Sequence, residues 1–117
     1  SGGARADVHI HRWYDVTDNH LGLTEWTVPH LKRIAGDGQV NVVSKICGAE
    51  DFSFYQKHVP GFFYFMGCTP PEQDARKSAP NHSPRFYVDE NTLILGVKTL
   101  AGLATRYLAE GAPVREL

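Results

Sequence analysis

A histidine fenced by prolines is the first feature of this sequence that could do chemistry. His82 lies in "SAPNHSPRFYVDE", residues 78–90, between Pro80 and Pro84. Proline fixes φ and lowers backbone entropy, which suits a side chain that must be held in a set place. A neutral imidazole is the commonest ligand for zinc and similar metals. The plainer reading is a surface histidine in a proline-rich loop, and pattern alone favours it. Two adjacent acids, Glu50 and Asp51, are the second candidate. They open "GAEDFSFYQKHVPGFFYFMG", residues 48–67, ahead of an aromatic and apolar run. A carboxylate there could orient a substrate, or could stabilise the start of a short helix. His9 and His11 would share one face of a strand, near chelating distance. No third ligand lies near them in sequence, so an exposed polar face is the better reading. Cys47 and Cys68 flank apolar runs and read as small core side chains rather than nucleophiles.

The elements that must position these residues follow from periodicity and punctuation. Residues 4–11, "ARADVHIH", alternate apolar and polar, the mark of a half-buried strand. "DVTDN" at 15–19 reads as a connector rich in turn formers. A helix is expected from Leu21 to Ala35, with Leu21, Thr24, Val28, Leu31 and Ala35 on one face and Gly36 at its C-cap. Pro29 implies either a kink or a better-formed part that starts near Thr27. "VNVVS" at 40–44 reads as a short strand, and 51–58 as a short helix with Asp51 at its N-cap. "FFYFM" at 62–66 is continuously apolar, as a strand covered on both faces would be. Residues 67–85 hold four of the seven prolines and form a long loop, and 72–77 its solvated tip. The last helix is capped by Asp89 and ended by Gly111, with Leu93, Val97, Leu100, Ala104 and Leu108 as its apolar stripe. Gly96 and Gly102 within it would permit close packing. Strands alternating with helices predict an α/β fold, with the half-polar first strand belonging to another sheet.

Composition narrows the partners. The chain has 117 residues, 42% of them hydrophobic, enough for one compact domain with a core of its own. A net charge of −1 with dispersed acids and bases argues against nucleic acid or an anionic membrane as partner. No apolar run approaches the roughly 18 residues of a spanning helix. Two cysteines fit free thiols in a reducing compartment, so the expectation is a soluble cytoplasmic protein. The sequence lacks an initiator methionine and reads as a piece of a longer protein, with Ser1, Gly2 and Gly3 as added residues.

Taken together, "GAEDFSFY", "VPGFFYFMG", "NHSPRFYVDE" and a long final helix resemble the C-terminal end of metal-dependent amidohydrolases. The branch is that of aminoacylases, hippurate hydrolases and auxin-conjugate hydrolases, in the acetylornithine deacetylase/succinyl-diaminopimelate desuccinylase/carboxypeptidase superfamily. The resemblance spans nearly the whole chain and is strongest from Gly48 to Glu90. It is weaker at "YDVTDN", where Asp15 departs from the family's pattern. It implies a dinuclear-metallopeptidase-type catalytic domain. Residues 1–17 would be the last strand of a lid or dimerisation domain with its linker, and 18–117 the C-terminal segment of the catalytic domain.

The resemblance also implies roles. His82 would be the last metal ligand, and Glu50 would face the active site, orienting substrate or the groups behind the ligands. Asp51 would cap the short helix. Two divalent metals, zinc or manganese, would polarise the scissile carbonyl of an N-acyl amino acid or related amide and lower the pKa of a bridging water. The family's other ligands come from an "HxCGHD"-like motif, an acidic pair and a further histidine, none of which occurs here. One histidine cannot hold two metals, so this chain is expected to bind none alone and to be a silent part of an enzyme. The rival expectation is a non-catalytic binding or dimerisation module. Its first strand could pair with a second copy as a homodimer.

Overall fold

The computed structural model describes residues 2–111 and 114. Helix α1, Leu21–Ala35, starts where His20 folds its ring back on the first turn: Nδ1 accepts the Leu23 N–H at 3.4 Å. Thr24 bonds to the His20 carbonyl through both its N–H and its hydroxyl, each at 2.9 Å. Pro29 sits inside the helix without ending it. It costs one backbone donor, but that turn lies on the exposed side, where water can serve the freed carbonyl. Gly36, at φ 96°, closes the helix by donating to the Lys32 carbonyl at 2.8 Å, as the C-cap reading expected. A single 3-10 turn, Asp37–Gln39, follows.

Helix α2, Phe52–Gln56, is short, and helix α3, Asn91–Glu110, is long. Both α3 ends are locally specified. Asp89 Oδ1 accepts from the Asn91 N–H at 3.0 Å and from its Nδ2 at 2.8 Å, and Gly111, at φ 82°, donates to the Tyr107 carbonyl. By backbone position the N-cap is Glu90, yet the Asp89 carboxylate does the capping.

Helices α1 and α3 pack against each other. Thr27, His30 and Leu31 of α1 are buried, as is Thr99 of α3. A guanidinium clamps the pair: Arg106 lies over the Trp26 ring, 4.4 Å from its centroid, and donates to the Trp26 carbonyl at 2.9 Å. Glu110 Oε2 completes the clamp, accepting from Arg106 Nε at 2.8 Å and Trp26 Nε1 at 3.1 Å. Tyr64 ties the preceding segment to α3. The one Thr99 hydroxyl hydrogen goes to the Gly96 carbonyl, so the Tyr64 hydroxyl donates to Thr99 Oγ1, at 2.9 Å.

Three sequence expectations are corrected here. The α/β fold is not found: among the described residues there is no strand, and 4–11, 40–44 and 62–66 lie outside regular structure. Alternation and apolar runs say how a segment would sort its faces, but a strand also needs a neighbouring backbone to pair with. Nor do the described residues enclose a core of their own. Leu31, 5% exposed, is the one buried hydrophobic residue among those described, and the surface is 10,098 Å² against about 6,300 Å² for a compact protein of this mass. The radius of gyration, 18.7 Å, likewise exceeds the about 13 Å of a compact domain. Finally, the α3 stripe of Leu93, Val97, Leu100, Ala104 and Leu108 lies open, while Thr92, Leu95, Gly96, Thr99, Gly102, Leu103 and Arg106 turn inward.

Candidate functional site

His82 occupies the third position of a turn closed by the Ser83 N–H on the Pro80 carbonyl, at 3.2 Å. Its φ is 67°, and it is the one non-glycine among the described residues with positive φ. For an L-residue that conformation costs on the order of 1 kcal/mol. The following residues hold the turn in place. Ser83 Oγ accepts the Arg85 N–H, and the Ser83 carbonyl accepts the Phe86 N–H. The Asp89 N–H then reaches the Cys68 carbonyl at 2.9 Å, closing the base of the long loop just before α3. The result is an exposed imidazole on a turn held from its C-terminal side, within a loop closed at its base.

Glu50 lies half-buried before α2. Its carbonyl accepts the buried Ser53 hydroxyl at 2.7 Å and the Ser53 N–H at 3.2 Å. No hydrogen bond or ion pair among the described residues engages its carboxylate. Asp51 stands at the N-cap position as expected, but in helical φ and ψ and with no side-chain capping bond. The first turn of α2 is thus held by Ser53 and the Glu50 carbonyl, which leaves the Glu50 carboxylate free for another partner.

The sequence reading missed how the Glu50 segment is secured. Residues 14–20 are laced to α2 and the turn after it. Tyr14 packs on Phe54 at 5.5 Å, and Asp15 pairs with Lys57. The Gln56 amide donates to the Asp18 carbonyl at 2.7 Å and accepts its N–H at 3.1 Å. The Asn19 amide does the same to Phe63, accepting its N–H at 2.6 Å and donating to its carbonyl at 2.7 Å. Gly61 makes room: a Cβ there would sit 2.6 Å from Gln56 Cγ. No local signal marks these amides, because their partners are backbone groups 38 and 44 residues away.

His9 sits 3.4 Å from Asp7 and, like His11, is exposed. Both cysteines are free; Cys68 is half-buried, but Cys47 is exposed, against the expectation of a core side chain. Among the described residues no three His, Cys, Asp or Glu side chains come together to hold a metal ion. The residues present therefore do not fit a metal centre by themselves, and His82 is at most one ligand. No helix among the described residues is long and apolar enough to cross a membrane.

Residues 4–106 match the sequence profile of peptidase family M20/M25/M40. The chain belongs to this family. It is 38% identical over 86 residues to IAA-amino acid hydrolase ILR1-like 6 of Arabidopsis thaliana, covering 70% of the chain and 18% of that relative. It is 44% identical over 85 residues to ILR1-like 4 of the same plant, covering 68% and 19%. It is 33% identical over 105 residues to the putative amidohydrolase YhaA of Bacillus subtilis, covering 90% and 26%. The resemblance to the auxin-conjugate hydrolase branch is thereby borne out. This M20 chain spans about a fifth to a quarter of the length of these relatives. No solved structure matches it. Peptidases of the family generally depend on a pair of metal ions.

Proposed function

We propose that this M20 chain supplies the C-terminal part of a metal-dependent amidohydrolase that cleaves an N-acyl amino acid or a related amide, and that it is inactive alone. Residues 1–17 are assigned to the lid or dimerisation part with its linker, and 18–117 to the catalytic part. One contrast carries the reading. The family match runs over 4–106, yet among the described residues no three His, Cys, Asp or Glu side chains gather to hold a metal. A catalytic metal needs about three protein ligands and an open position, so the remaining ligands belong to sequence outside this chain. His82 contributes one imidazole nitrogen to a divalent metal, zinc or manganese. Glu50, its carboxylate uncommitted, orients substrate at the rim. A cytoplasmic location accords with two free thiols.

The test is a chimera in which this chain replaces the corresponding segment of the Bacillus relative. We expect chelator-sensitive hydrolysis of N-acyl amino acids by the chimera and none by the chain alone. His82→Ala should lower turnover and bound metal by about 100-fold or more, and Glu50→Gln should lower turnover with the metal retained. Full metal content and activity in the His82→Ala chimera would sink the assignment.

A second reading, a binding or homodimerisation module, is favoured by one observation. Leu93, Ile94, Val97, Leu100 and Leu108 of α3 are all more than half exposed. An M20 chimera that binds no metal but still captures a second copy of the chain would support that module instead.

A further inference from the structure

Among the described residues, His30 is the one buried titratable side chain that the proposed chemistry does not use. Its ring lies between α1 and α3, 9% exposed, against the bare backbone of Gly102. A Cβ at Gly102 would stand 2.5 Å from His30 Nε2 and 2.9 Å from Cε1, so the fit is tight. Arg33 Nη2 lies 3.1 Å from His30 Nδ1. A guanidinium is always protonated and can only donate, so Nδ1 must accept and the ring hydrogen must sit on Nε2. Nε2 is buried and has no hydrogen-bond partner among the described residues. The neutral ring is thus fixed in one tautomer with its single hydrogen unserved.

We propose that the α1–α3 pair is a proton-sensitive joint, in which protonation of His30 forces the two helices apart. A second ring hydrogen would appear on Nδ1, facing the Arg33 N–H, so one hydrogen bond becomes a donor-donor contact. The new charge would meet Arg33 from its own helix and Arg106 from α3, and among the described residues only Glu110 of α3 opposes them. Glu110 is already engaged by Arg106 and Trp26. Burial first, then the charges of Arg33 and Arg106, holds the His30 pKa below 6.5. The folded pair therefore binds fewer protons than the unfolded chain, so stability rises with pH. It is full above the ordinary imidazole value and is lost as pH falls through it toward the lowered folded value. Loosening α3 would also loosen the Asp89–Cys68 closure at its start, and with it the anchor of the His82 turn. The joint is independent of the proposed hydrolase reading.

Histidine ring-nitrogen spectra and the unfolding midpoint, both followed between about pH 8 and about pH 5, test it. The expected results are an Nε2–H tautomer for His30, its titration below the ordinary imidazole value, and a midpoint that falls with pH in the parent chain. His30→Gln should remove most of that fall. Arg33→Gln should move the His30 titration upward while the α1–α3 pair stays formed. An Nδ1–H tautomer, an ordinary titration of His30, an unchanged pH slope in His30→Gln, or an α1–α3 pair unformed even at about pH 8 would each overturn the proposal. The ring-nitrogen spectra of the parent chain decide the matter even where a variant does not fold.

Discussion

Asn19 makes two short hydrogen bonds to one residue, and both are to main chain. Its amide does for Phe63 what a neighbouring strand would do, serving the N–H and the carbonyl together. Asn19→Ala removes both bonds. Each contributes about 0.5–1.5 kcal/mol net, and Asn19 is exposed, so water recovers part of the loss. A destabilisation of about 1 kcal/mol in urea unfolding is expected, with faster exchange of the Phe63 amide hydrogen. Asn19→Asp is the sharper test. It keeps the acceptor for the Phe63 N–H but sets a carboxylate oxygen against the Phe63 carbonyl, so it should cost at least as much as the alanine. Equal stability of all three proteins would show that the lacing of 14–20 is incidental. At this scale the sequence was legible only where a residue carries its own signal. His82 and Glu50 stood out by type and neighbours. Asn19, Gln56 and His30 did not, because each takes its meaning from a group far along the chain.

Helices were read well and strands were not, and the difference is one of range. The stop of α1 and both ends of α3 are set by Gly36, Gly111 and the Asp89 carboxylate, each within a turn of the helix end it sets. A strand depends on a distant backbone, so the alternation at 4–11 and the apolar run at 62–66 could not supply one. The face of α3 was misread for a related reason. Its Leu and Val stripe is the more hydrophobic, but the small residues Gly96, Thr99 and Gly102 are the ones that let α1 and Met66 come close. The two glycines make opposite predictions. Replacing a glycine within a helix by alanine gains about 1 kcal/mol in propensity. At Gly96 the new methyl would meet the Met66 Cε at 3.1 Å, a flexible end that can move, so Gly96→Ala should be neutral or stabilising. At Gly102 it would strike the His30 ring, which Arg33 and burial hold still. Overpacking of this kind costs about 1–3 kcal/mol, so Gly102→Ala should be destabilising by about 1 kcal/mol net. Thermal unfolding of the two variants side by side decides it, and the same sign for both would refute the tight fit at His30.

As a whole molecule, the chain leaves more apolar surface uncovered than a free-standing protein of its size would. Val42, Val43 and Ile46 are exposed in one region, Val8, Ile10 and Trp13 in another, and the outer side of α3 in a third. With a net charge of −1 there is little electrostatic repulsion to keep copies apart. The chain alone should therefore associate, with a sedimentation coefficient that rises with concentration over the micromolar range. The cause can be assigned by charge placed on the open side of α3. Val97→Lys with Leu100→Glu alters residues that are 61% and 62% exposed, so it should change helix stability by no more than about 0.5 kcal/mol. If that face drives association, the double variant should sediment more slowly at every concentration while its helical signal stays the same. If association persists undiminished, the contact lies instead in the exposed segments before α1 or between α1 and α2. A chain that remains monomeric throughout would mean that these apolar side chains find cover within one copy, against the structure described.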